Sequence, residues 1–90
     1  MQTEQFFELL KHKNVRINKI VSPPNFQSEE FCQEDDEFVL LVQGEASLQV
    51  EEQIHALKTG ATLFIKKGQK HKILSTSANQ DTIWLAVHID

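Results

Sequence analysis

The segment Glu37-Phe38-Val39-Leu40-Leu41-Val42-Gln43-Gly44 is almost unbroken in apolar residues and stops on a glycine. Its length and its valines and phenylalanine predict a β-strand, in which successive side chains point to opposite sides. If Glu37 faces inward, so do Val39 and Leu41, and Phe38, Leu40 and Val42 stand on the other face. A strand that is apolar on both faces is covered on both. One side then belongs to the interior and the other to another element of the chain or to a second subunit. A glutamate carried inward by such a strand is a candidate for chemistry.

Outward from this strand the chain continues in short apolar runs. Residues 46–50 alternate, Glu51-Glu52-Gln53 reads as a turn, and residues 54–57 resume. A second unit, Gly60-Ala-Thr-Leu-Phe-Ile-Lys-Lys-Gly68-Gln-Lys-His71, holds a strand at 62–65, a turn at Gly68 and a strand over 71–75. Polar residues 75–81 separate it from a last strand over 82–89, with Ile83, Leu85, Val87 and Ile89 on one face and Thr82, Trp84, Ala86 and His88 on the other. Either of these faces can line the interior. Upstream, residues 15–21 are rich in β-branched side chains and end at Ser22-Pro23-Pro24, which a central strand does not tolerate. Residues 3–11 place Phe6, Phe7, Leu9 and Leu10 at helical spacing behind Thr3 as N-cap, so a short amphipathic helix is expected there. Strands every 8 to 12 residues point to an antiparallel sandwich or barrel.

Composition bounds the function. Ninety residues with 40% hydrophobic and 24% charged side chains describe one domain, residues 1–90. Residues 1–45 sum to −5 and residues 46–90 to +1, giving the net charge of −4. An acidic chain without a broad basic surface is a poor partner for nucleic acid. No apolar run is long enough for a membrane helix, and the N-terminal stretch has no basic leader, so no membrane partner is expected. Cys32 is the only cysteine, which excludes an internal disulfide and fits a reducing cytoplasm. No serine nucleophile elbow, phosphate-binding glycine loop or dinucleotide fingerprint occurs.

The spacing Glu37-x6-Gly44 together with Gly60-x7-Gly68-x2-His71 resembles the two motifs of the cupin superfamily. The chain is similar to small single-domain bacterial cupins of uncharacterised role, through VRINKIVS, DEFVLLVQGEA and TIWLAVHI. The resemblance implies an all-β double-stranded β-helix, a closed jelly-roll barrel over residues 15–89, here behind a helical segment at 1–13. It also puts Glu37 and His71 at positions whose family counterparts bind metal. The two histidines usual in the first motif are replaced by Phe31 and Gln33, or by Cys32 and Glu30 with a longer gap, and Lys66 and Ser75 replace a proline and an asparagine in the second.

Three readings of the site follow. Gln33, Glu37 and His71 offer O, O and N donors to a divalent Zn, Mn, Fe or Ni ion, with Cys32 or His88 to complete the set. An enzyme of isomerase or oxygenase type would use Glu37 or His71 as general acid or base, or the metal as Lewis acid. A non-catalytic binding module would hold a small molecule with Gln33, Glu37, His71, Trp84 and His88. A purely structural homodimer is the third, and a dimer is compatible with all of them. Without metal, Glu37 and His71 can hydrogen-bond to each other. Around them, the acidic run from Glu29 to Glu37 and Lys66, Lys67, Lys70 and Lys72 are either solvated ion pairs or a device steering a small anion, with the acidic loop as lid. His12 and His55 are expected in solvent.

Overall fold

The computed structural model describes residues 3–90, and every regular element among them is a strand. In chain order these are β1 (Gln5–His12), β2 (Val15–Ser22), β3 (Phe31–Cys32), β4 (Asp36–Gln43), β5 (Glu45–Val50), β6 (Gln53–Lys58), β7 (Thr62–Ile65), β8 (Lys70–Thr76) and β9 (Thr82–Ile89). A five-stranded sheet of order β1-β2-β9-β4-β7 faces a four-stranded sheet of order β3-β8-β5-β6, and all pairings are antiparallel. This is a jelly-roll-like pair of sheets.

The core lies between the sheets and follows the period of two. Val39 and Leu41 of β4, Trp84 and Ala86 of β9, Leu48 and Val50 of β5, and Ile65 of β7 are buried together. The inward face of β9 is thus the one carrying Thr82, Trp84, Ala86 and His88, all of which are buried. Glu37, Val39 and Leu41 point inward as their parity requires.

Two expectations are overturned. Residues 5–12 form a strand and not a helix, paired to β2 from Gln5↔Val21 to His12↔Val15 around a two-residue turn at Lys13-Asn14. Met1 and Gln2, the start of the segment expected to be helical, lie outside the described residues. The physical reason is a β-bulge: the register slips between Glu8 and Leu10, so Leu9 is an extra residue. Phe7 opposite Lys19 and Leu10 opposite Ile17 therefore share one face although they are three apart. A bulged strand imitates helical spacing, and so short a helix is marginal alone, whereas β2 supplies a ready hydrogen-bonding edge.

The expected closed barrel is also absent: β1 and β7 remain edges of one sheet, and β3 and β6 of the other. Closure at the β1–β3 side would need a longer β3 than its two residues. Phe6 and Phe31 stand there instead, lining an opening between the sheets.

Gly44 makes the tight passage from β4 to β5. Its φ is +98°, and a Cβ there would lie 2.8 Å from Thr82 Oγ1 and 2.9 Å from Ser77 Oγ, both engaged in hydrogen bonds around Glu45. Gly60 has a similar φ of +93° but open space around it. Gly44→Ala is expected to lower stability by about 2–3 kcal/mol and Gly60→Ala by about 1 kcal/mol, as measured by urea unfolding.

Candidate functional site

At one end of the core the apolar packing stops and a cavity of about 120 Å³ opens between the sheets. Its walls are largely apolar, with Ile20, Val39, Leu48, Ile65, Ile73 and Trp84, and its polar groups are Glu4, Asn18, Gln33, Glu37, His71 and His88. Exposed Phe6 and Phe31 stand at its rim.

Each polar group arrives by strand register. Glu37 of β4 is opposite His88 of β9 and Ile65 of β7, and His71 of β8 lies between Phe31 of β3 and Val50 of β5. Phe31 packs its ring on His71 with centroids 5.7 Å apart. His71 Nε2 lies 3.8 Å from Glu37 Oε1 and His88 Nε2 lies 3.9 Å from Glu37 Oε2. Both distances exceed hydrogen-bond reach. Glu37 and His71 thus face each other without the direct hydrogen bond that their pairing suggested. His71 Nδ1 instead contacts the Gln69 carbonyl at 3.4 Å. Glu37 Oε1 and Gln33 Oε1 are buried without a hydrogen-bond partner.

Behind Glu37 stands Asp35, buried and bonded by Arg16 Nη2 at 2.9 Å, with His88 Nδ1 3.3 Å from the same oxygen but not aligned for a hydrogen bond. Burial holds the Glu37 carboxyl above its ordinary value of 4.5; His88 and His71 oppose this, Asp35 adds to it, and Gln33 opposes it by hydrogen bonding. On the other side, Ser22 Oγ donates to Glu4 Oε2 at 2.6 Å and accepts from Trp84 Nε1 at 3.0 Å. The Glu4 carboxyl is likewise raised, first by burial and, against the Ser22 bond, by the charge of Glu37.

All five residues singled out from the sequence (Gln33, Glu37, His71, Trp84 and His88) line this one cavity. Cys32 does not: it is exposed, with its thiol 3.5 Å from the Gly68 carbonyl. His12 is exposed and His55, expected in solvent, is half-buried opposite Leu48, and neither lines the cavity. Lys70 and Lys72 flank His71 along β8, so their side chains leave on the opposite face, and Lys66 and Lys67 are exposed in the turn. The acidic run is not uniformly solvated, because Asp35, in the bend before β4, is buried as Glu37 is.

The donors do not fit a metal centre. The two imidazoles address different oxygens of Glu37, and no group of three or more His, Cys, Asp or Glu among the described residues is arranged to hold an ion.

Comparison with known proteins matches a family described as the cupin domain over residues 19–88. The chain belongs to the cupin family. A solved structure from Ralstonia eutropha JMP134, named as a candidate mannose-6-phosphate isomerase, is 30% identical, with all of this chain and 87% of that one covered at a TM-score of 0.86. The cupin domain of Cnp3 from Schizosaccharomyces pombe aligns over 98% of this cupin and 61% of its own chain, at 13% identity and a TM-score of 0.90. A protein of unknown function from Streptococcus pyogenes aligns over 98% of this chain and 75% of its own, at 15% identity and a TM-score of 0.81. No functionally curated protein matches the chain.

Asp35, Glu4, Ser22 and Arg16 are site residues that the sequence reading did not single out. Asp35 lies in the bend just before β4, where strand alternation gives no signal. Glu4 gave none either, since its place depends on β1 being a strand. With the Glu37 carboxyl raised above 4.5 when folded, the folded state holds more protons than the unfolded one between those two values, so the Glu37 contribution is present below 4.5 and lost as pH rises through the raised value. Stability of the wild type is expected to fall over that window, and Glu37→Gln to flatten the decline, in urea unfolding followed from pH 4 to pH 8.

Proposed function

We propose that this cupin is a metal-free binding module whose cavity takes a small, mostly apolar molecule carrying hydrogen-bond donors. The observation that carries this reading is a buried Glu37 Oε1 without a partner, at the wall of a cavity whose lining is largely apolar. A buried acceptor left unmade is costly, and a ligand N–H or O–H removes that cost while its apolar body replaces water. A volume of about 120 Å³ is of the order that admits benzene. A hexose phosphate, which the name of the Ralstonia protein brings to mind, is far larger, and no Lys or Arg is among the lining residues to meet a small anion. The free, exposed Cys32 supports a reducing, cytoplasmic setting.

Trp84 is the only tryptophan and lines the cavity, so its emission reports occupancy. Cyclopentylamine or cyclopentanol is expected to change Trp84 emission saturably, to raise the melting temperature and to be recovered unchanged. Ile73→Phe, which fills the cavity, is expected to abolish the response. Elemental analysis is expected to find metal well below one per chain; one metal per chain, lost in Glu37→Gln and His71→Ala, would restore the metalloenzyme reading.

A homodimer is favoured by a separate observation. Phe7, Leu10, Ile17, Phe38, Phe64 and Leu85 belong to the outward face of the five-stranded sheet, which no helix covers among the described residues. Five strands spaced ~4.8 Å apart and up to 8 residues long present roughly 600 Å² there, close to the ~800 Å² per partner of a stable interface. Light scattering is expected to give twice the 10.4 kDa of one chain, and Phe38→Lys, at a position already 40% exposed, to give a folded monomer.

A further inference from the structure

The cavity holds buried acceptors that no donor of the described residues meets. Glu37 Oε1 and Gln33 Oε1 are buried and unpartnered, and Glu37 is itself only 6% exposed. His71 Nδ1 meets the Gln69 carbonyl, and its Nε2 stands 3.8 Å from Glu37 Oε1, beyond hydrogen-bond reach. Glu4 adds a second carboxylate to the same cavity, and Ser22 is its one hydrogen-bond partner among the described residues.

Among the described residues no Lys or Arg lines the cavity to answer these groups. Arg16 is bound to Asp35 behind Glu37, and neither lines the cavity. The two carboxylates sense each other, since the charge of Glu37 raises Glu4. A like-charged pair in a partly dry site favours a counter-charge between its members. The metal geometry is unsuitable, whereas an organic cation brings several N–H donors on one centre and an apolar body for the walls. Glu4 and Phe6 lie before the matched stretch of residues 19–88, so the chain completes this site with its own N-terminal segment.

We propose that the cavity selects a small organic cation, a protonated amine or amidine on an apolar body no larger than benzene, held between Glu37 of β4 and Glu4 ahead of β1. This specificity rests on the binding-module reading above. Ser22 and Trp84 are positioning residues, because the chain of bonds Trp84 Nε1 to Ser22 Oγ to Glu4 Oε2 turns the Glu4 carboxylate over the site.

Titration calorimetry at pH 7 with cyclopentylamine, cyclopentanol and cyclopentanecarboxylate separates the outcomes. The amine is expected to bind at least tenfold more tightly than the alcohol, and the carboxylate not at all. Glu4→Gln and Glu37→Gln are each expected to weaken the amine at least tenfold and to leave the alcohol within threefold. Glu52→Gln, in the exposed β5–β6 turn, is expected to change nothing. Equal or tighter binding of the alcohol or the carboxylate, or amine binding indifferent to both cavity variants, overturns the cation specificity and leaves the binding module standing. Failure of all three compounds to bind up to their solubility overturns both readings. Glu4→Gln lies outside the core, so its result stands even where Glu37→Gln disturbs folding.

Discussion

The packing of Leu41 and Ala86, both wholly excluded from solvent, in one cluster with Leu48 and Val50 of the facing sheet ties the two sheets together. Sheets that pack face to face are separated by the side chains of their inner faces, and this cluster supplies them with small and branched residues from β4, β9 and β5. The cavity lies where β4, β9 and β8 carry Glu37, His88 and His71 in place of apolar residues. The site is thus the continuation of the core by polar side chains at unchanged parity. It inherits the rigidity of strands whose register is set by the burial of their neighbours.

That origin explains the electrostatics. A carboxylate carried into a core by alternation cannot be solvated, and the chain surrounds Glu37 with imidazoles that are too distant to donate to it. Asp35, in the bend just before β4, competes for positive charge and holds Arg16. The result is an ion pair at the back of the site and a carboxylate with one unmet oxygen, Glu37 Oε1, at its front. Sites of this kind trade folding stability for recognition, because the unpaired group becomes favourable only when a ligand answers it.

Much of this was legible from residue order. The strands over 62–65 and 82–89 were read with the bounds they have, and the inward parity of Glu37, Val39 and Leu41 follows from one strand and a period of two. The five expected site residues share a cavity because motif spacing encodes which strands meet. The N-terminal segment was misread, since one bulged residue at Leu9 makes a strand look helical by placing Phe7 and Leu10 on one face. Glu4 was invisible for the same reason. It reaches the cavity only because β1 pairs with β2 and the Ser22 hydroxyl holds its carboxylate.

The sequence by itself determined the strands of both motifs to within about a residue and the set of inward candidates, because period-two alternation and turn glycines are local properties of the chain. Tertiary structure decided which face of β9 is interior, that the sheets stay open where a barrel was expected, and that the imidazoles stand beyond hydrogen-bond distance of Glu37. Those outcomes depend on distances between strands remote in the chain. No local pattern specifies whether two inward side chains meet at 3 Å or stand nearly 4 Å apart, and that difference separates a satisfied pair from a pocket awaiting a donor.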